Sequence, residues 1–241
     1  APYYRLNEHD QQWIDKKDWE YRVHFSVGDS LLERNHILMN FKGLDTYADV
    51  VLNGEPVLSA NNMFRQWKVD VKEVLQTENK LEIKFKSPVK TALGVMNKHN
   101  YALPAVNDQS ENGEMGDNKV SPFVRKAPYH FGWDWGPRLV TSGVWRPVEL
   151  VAWDGLKLDE VFVRTLQADE NQARMRLHIQ LSENAGSGHE VALTTNGKVL
   201  MKQPLEPGKA AQALDFEIQE PKLWQPVGLG KRSEEHTSEL Q

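Results

Sequence analysis

The sequence predicts an all-β protein made of two successive β-sandwiches, and three observations carry that prediction. Apolar residues recur with a period of two rather than 3.6. The resulting strand-length runs are separated by turn signals, among them Asn53-Gly54 and Asn196-Gly197. A length of 241 residues suits one or two domains and can bury a sizeable core.

Trp19, Tyr21, Val23, Phe25 and Val27 alternate with Glu20, Arg22, His24 and Ser26, which reads as a half-buried antiparallel strand. Ile37, Met39 and Phe41 repeat the pattern, as do Ala48, Val50 and Leu52, after which Asn53-Gly54 supplies a hairpin turn. Val69 and Val71, then Leu81, Ile83 and Phe85, give two further strands, with a short helical turn weakly indicated over Val71 to Leu75. Strands at this spacing argue for a sandwich of jelly-roll type. From Ser87 to Val124 the alternation stops, and Asn, Gly, Asp, Ser and Pro dominate. So long a structureless loop is usually functional or mobile. Val148, Leu150 and Ala152 close the first domain, whose expected extent is 1–153.

The second domain, expected over 154–231, begins with Val161 and Val163. Met175, Leu177, Ile179 and Leu181 then alternate with Arg174, Arg176, His178 and Gln180. Val191 and Leu193 lead into the hairpin at Asn196-Gly197, and Leu214, Phe216 and Ile218 follow. The pattern is immunoglobulin-like. Residues 232–241 lack either periodicity and resemble the translation of a common sequencing adapter, so they are expected to be a non-native tail. The opening at Ala1 rather than Met leads us to expect the natural start further upstream.

Composition narrows the function classes. With 29 basic and 34 acidic residues the net charge is −5, with both signs scattered. No basic stripe marks a nucleic-acid partner. No apolar run approaches the roughly 20 residues of a membrane span. The absence of Cys excludes disulfides and thiolate metal sites but says little about compartment. The compartment stays open, with periplasmic or secreted favoured. Asp108, Ser110, Asn112 and Gly113 open like a calcium loop, but position twelve is Lys119 where a bidentate Glu is needed, so an EF-hand is rejected. Glu8-His9-Asp10 are consecutive and diverge in space, and neither a metal site nor a cofactor is expected.

The densest chemistry lies in Phe131-Gly132-Trp133-Asp134-Trp135-Gly136-Pro137. An extended backbone would put both indoles on one face and the carboxylate on the other; a bend at the glycines would let all three converge. Indoles offer flat apolar surface and a carboxylate accepts hydrogen bonds, which together suit a sugar ring with its C–H face and hydroxyl rim. By composition alone, two core tryptophans beside a turn aspartate is the more ordinary arrangement. His130 can donate to a sugar hydroxyl or satisfy a loop carbonyl, the latter being preferred. Arg65 can pair with Asp45 or Asp49 as scaffold.

A resemblance reverses the balance for the tryptophans. Arg125-Lys126-Ala127-Pro128-Tyr129-His130, the stretch Phe131 to Pro137, and Gly143-Val144-Trp145-Arg146-Pro147-Val148 together resemble the β-mannosidase branch of glycoside hydrolase family 2. Phe41-Lys42-Gly43-Leu44-Asp45-Thr46-Tyr47-Ala48-Asp49, Leu52-Asn53-Gly54 and Asn62-Met63-Phe64-Arg65 resemble the galactose-binding-like, sugar-binding domain of that family. Leu223-Trp224-x-Pro226 resembles its second domain, in which further strands follow, so the second sandwich is expected to be truncated here. The Trp-Asp-Trp block is the more specific, because the β-galactosidase and β-glucuronidase branches are not marked by it. Exo-glucosaminidases are not separated.

The resemblance implies an exo-acting, retaining hydrolase of terminal non-reducing β-mannose, whose two glutamates sit on a following (β/α)₈ barrel. That barrel is missing here. No catalytic residue is therefore expected in this chain. The family's acid/base Glu follows an Asn, and the only Asn-Glu pair, Asn7-Glu8, reads as surface. Substrate contact is implied for Trp133, Asp134 and Trp135, and the implied partners are a β-mannoside glycan and the barrel of the same chain. A stand-alone carbohydrate-binding module and a purely structural sandwich are the alternatives.

Overall fold

The computed structural model describes residues 4–229. The chain divides into two compact units, Ala1–Asp154 and Gly155–Gln241. Fourteen strands, β1 to β14, are present among the described residues, with three short α-helices.

The first unit holds Trp19–Ser26 (β1), His36–Phe41 (β2), Leu44–Asp45 (β3), Tyr47–Leu52 (β4), Glu55–Asn61 (β5), Trp67–Asp70 (β6), Glu78–Phe85 (β7), Gly143–Val144 (β8) and Val148–Trp153 (β9). Its helices are Asn7–Asp10 (α1), Asp29–Leu32 (α2) and Pro88–Met96 (α3). One sheet has the order β1-β7-β4-β5 and another β6-β2-β9, while β3 and β8 form a small ribbon. Period-two alternation decides the layering. Ile37, Met39 and Phe41 of β2 share one buried core with Ala48, Val50 and Leu52 of β4 and Leu81, Ile83 and Phe85 of β7. The two larger sheets are thereby packed face to face, as in a jelly-roll sandwich. Asn53 and Gly54 both take positive φ (53° and 92°) in the two-residue hairpin joining β4 to β5. The backbone of Leu75 donates to Val71, closing the weakly indicated helical turn.

β1 departs from its expected half-burial. Only its ends, Trp19 and Phe25, are partly buried against the core; Tyr21, edge-on to Phe85 with ring centroids 5.6 Å apart, and Val23 are 47% and 48% exposed. The strand is an edge of a four-stranded sheet whose opposing sheet has three strands, so the middle of its apolar face is only half covered.

The region after Ser87 is not structureless. α3 starts at Ser87, whose hydroxyl accepts from the Lys90 backbone N–H, with Pro88 in the first turn. It packs Val89 and Ala92 with Val120, Val124, Phe131 and Val140 in a second small core. That core lies directly under the Trp-Asp-Trp stretch, through Phe131.

The second unit holds Leu158–Ala168 (β10), Gln172–Leu181 (β11), Glu190–Thr195 (β12), Lys198–Pro204 (β13) and Ala211–Gln219 (β14). The sheet β10-β11-β14 and the hairpin β12-β13 enclose Leu177, Ile179, Val191, Met201 and Phe216, an immunoglobulin-like arrangement. Asn196 and Gly197 again take positive φ at the hairpin. β10 is exposed at every position, with Val161 50% and Phe162 62% exposed on opposite faces. Local opening should therefore be cheap there. Hydrogen exchange of β10 amides is expected to run about a hundredfold faster than that of β4. Equal protection of the two strands would show that β10 is held as firmly as the first core.

The expected tail at 232–241 lies outside the described residues. Among the described residues, no helix is long and apolar enough to cross a membrane.

Candidate functional site

The Trp-Asp-Trp stretch is bent, not extended. The backbones of Trp133 and Gly136 bond each other reciprocally, N to O at 3.3 Å in both directions, so Trp133 to Gly136 is one tight turn. Gly132 sets it up with a φ of 110° that side chains rarely adopt. A Cβ there would also lie 2.6 Å from Cγ of Gln109. Gln109 is the other support: its backbone N–H donates to the Phe131 carbonyl, and its Nε2 donates to the Trp133 carbonyl at 2.7 Å.

The bend brings Trp133 and Trp135 together edge to face, with ring centroids 5.9 Å apart and planes at 87°. Both line a cavity of about 450 Å³ with Tyr129, His130, Gly136, Pro137, Leu139 and Thr141. Trp135 is 84% exposed, an unusual position for an indole with no function outside packing. Trp133 is half-buried. Asp134 occupies the tip of the turn, exposed, and is not part of the cavity wall. The structure therefore pairs two of the three sequence-predicted residues and sets the third beside them.

Behind the cavity lies a polar network that sequence reading missed. Lys126 and Asp45 form an ion pair with side chains 0% and 4% exposed. Thr46 donates to Asp45 Oδ1. Thr141 Oγ lies 3.2 Å from Asp45 Oδ2 and 2.9 Å from His130 Nδ1. Burial pulls the Lys126 ammonium below its ordinary value, and the Asp45 carboxylate opposes that pull. His130 is drawn down to about 4 by burial and then by the Lys126 charge. Its ring engages the Thr141 hydroxyl rather than a loop carbonyl. Arg65 pairs with neither Asp45 nor Asp49. It stacks on Trp67, 4.7 Å from the ring centroid, while Asp49 takes Lys86 and Ser59.

These shifts imply a pH dependence. The His130 value in the unfolded chain is near 6.5 and the folded value is lower, so between pH 6.5 and about 4 the unfolded chain binds the extra proton. Stability contributed by neutral His130 is present above pH 6.5 and is lost as pH falls through that window. Denaturation midpoints measured from pH 7 to 4 are expected to fall less for His130→Asn than for the parent chain. Parallel curves would remove His130 from the acid response.

A third support ties the opening segment to the loop that follows the turn. Arg138, 1% exposed, places Nη1 2.7 Å from Asp15 Oδ2 and 2.6 Å from Gln12 Oε1. Its backbone N–H donates to Glu8 Oε1 at 2.7 Å, and Gln12 Nε2 donates to its carbonyl at 2.8 Å. Glu8, read as surface from sequence, is a partner of this loop. Gly113 is required beneath the guanidinium, since a Cβ would lie 2.3 Å from Arg138 Cζ. The two sequence blocks also meet in space. Met63 donates its backbone N–H to the Arg125 carbonyl at 3.0 Å, and Trp145 Nε1 donates to the Met63 carbonyl at 3.2 Å.

The chain is 33% identical over 233 residues to β-mannosidase B of Aspergillus terreus, covering 95% of this chain and 26% of that protein. The crystal structure of a β-D-mannosidase from Dictyoglomus thermophilum superposes with a TM-score of 0.76 at 34% identity, covering 96% of this chain and 28% of that one. The exo-chitosanase of Amycolatopsis orientalis shares the fold at a TM-score of 0.59 and 19% identity, over 95% of this chain and 24% of that one. The chain thus spans about a quarter of the length of the relatives it matches. The family model described as glycosyl hydrolase 2 galactose-binding domain-like matches residues 1–146, and the chain belongs to that family.

Proposed function

We propose that this chain is the N-terminal part of an exo-acting, retaining β-mannosidase that hydrolyses terminal non-reducing β-D-mannose. In this reading the first unit supplies substrate contacts through Trp133, Asp134 and Trp135. The observation that carries it is the turn itself: two edge-to-face indoles, one of them 84% exposed, beside a free carboxylate. An exposed indole suits the C–H face of a sugar, and the carboxylate suits its hydroxyls. The similarity to β-mannosidases over most of the chain favours mannose as that sugar.

The cavity wall contains no carboxylate, whereas retaining hydrolysis needs two, about 5–5.5 Å apart. Both are assigned to a (β/α)₈ barrel of the longer protein, with the turn reaching over its mouth. The longer protein, assayed with an aryl β-mannoside, should release mannose with retained anomeric configuration. Inversion, or faster turnover of a β-glucosaminide, would replace this assignment with another activity. The 241-residue chain alone is expected to give no turnover above buffer background. Turnover that survives re-purification would place the catalytic carboxylates within it.

A further inference from the structure

The hydrogen bonds around Thr141 determine which nitrogen of His130 carries its proton. The Thr141 hydroxyl has one hydrogen to give and two lone pairs to receive with. Asp45, ion-paired with Lys126, only accepts, and an ionised carboxylate is a stronger acceptor than a neutral imidazole nitrogen, which gives the hydrogen of Thr141 to Asp45 Oδ2 at 3.2 Å. Lys126 Nζ, 3.5 Å away, donates to the Thr141 oxygen and takes one lone pair. The remaining contact, 2.9 Å to His130 Nδ1, is then a hydrogen bond only if Nδ1 bears a hydrogen. Every donor and acceptor of the hydroxyl is used in this arrangement and in no other. Nε2 is the remaining polar atom of a ring that lines the cavity beside Trp133 and Trp135.

We propose that His130 presents a bare Nε2 to the cavity and accepts a hydrogen bond from a ligand hydroxyl, with Thr141 and Asp45 as positioning residues. This rests on the reading of the cavity as a sugar site and adds a preference to it. An acceptor in that wall favours a hydroxyl and disfavours a carboxylate or carbonyl substituent at the same position, because two acceptors repel and stay unsatisfied. Neutral hexosides are therefore favoured over uronosides. Burial and the Lys126 charge keep the ring from taking the second proton that would convert Nε2 to a donor.

The test begins with the 241-residue chain labelled with ¹⁵N-histidine, observed by long-range ¹H–¹⁵N correlation. The His130 signals, assigned by their loss in His130→Gln, should show a protonated Nδ1 and a bare Nε2 from pH 7 to 5. Thr141→Ser should keep that pattern, and Thr141→Val should lose it. A protonated Nε2 in the parent chain at pH 6, as the other tautomer or as imidazolium, would overturn the inference without any variant having to fold. In the longer enzyme, His130→Phe should raise KM for an aryl β-mannoside about three- to tenfold, the worth of one neutral hydrogen bond. It should also narrow the margin between mannoside and mannuronide. An unchanged KM where Asp134→Ala is impaired would sink this inference alone. Unchanged kinetics in both variants would sink the sugar-site reading beneath it.

Discussion

Replacing Lys126 with methionine is expected to cost the first unit about 3–5 kcal/mol, the usual loss when one partner of a buried ion pair is removed. The ammonium and the Asp45 carboxylate are almost fully buried, so methionine leaves a carboxylate in the interior with only hydroxyl donors. For a unit of this size the thermal midpoint should fall by roughly 10 °C. The pair's net contribution is a separate quantity, because burying both charges was itself costly. Lys126→Met/Asp45→Asn should therefore recover part of the loss, since the amide still accepts from Thr141 without carrying charge. Calorimetry on the two single variants and the double variant gives the coupling directly. A single variant within about 1 kcal/mol of the parent would mean that water reaches the pair and that the network is not the rigid backing described.

The second large effect concerns Asp134 in the longer enzyme. If its carboxylate accepts from mannose hydroxyls, Asp134→Ala should remove charge-assisted contacts worth roughly 1.5–3 kcal/mol. That corresponds to a loss in kcat/KM of about ten- to 150-fold. Stability should be untouched, because Asp134 is exposed at the tip of a turn closed by backbone bonds between Trp133 and Gly136. Trp135→Ala should likewise melt like the parent, whereas Trp133→Ala removes a half-buried indole and is expected to lower both stability and turnover. An Asp134→Ala enzyme that melts normally and keeps full kcat/KM would reduce the turn to scaffold.

Much of the sandwich was legible because alternation is a local signal. Ile37-Met39-Phe41, Ala48-Val50-Leu52 and Leu81-Ile83-Phe85 name the core before any coordinates are known, and all nine are buried. Alternation failed for β1, since burial of a strand's face depends on what the opposite sheet covers, which no residue of β1 encodes. The helix over Pro88–Met96 carries a start signal, Ser87 followed by Pro88, but the Asn, Gly and Pro that follow it mask its extent. At the candidate site, sequence singled out the Trp-Asp-Trp stretch but left its bend open. The bend depends on Gln109, 24 residues away, and on a positive φ at Gly132. The Asp45–Lys126–Thr141–His130 network was out of reach for the same reason. Its members are ordinary polar residues until folding sets Lys126 against a carboxylate 81 positions earlier.

The hold that Glu8, Gln12 and Asp15 have on Arg138 sets the order of events during synthesis. Their contacts span 123 to 130 positions. A ribosome adding 5–20 residues per second therefore leaves the opening segment waiting on the order of ten seconds for its anchor. The hairpin of β4 and β5 closes over only a few residues and meets no such delay. A nascent chain stalled before Arg138 would carry that hairpin with an unattached leader and an unshaped cavity. Ligand recognition would then be among the last properties this unit acquires, and the waiting leader is the part most open to a protease or chaperone in the interval.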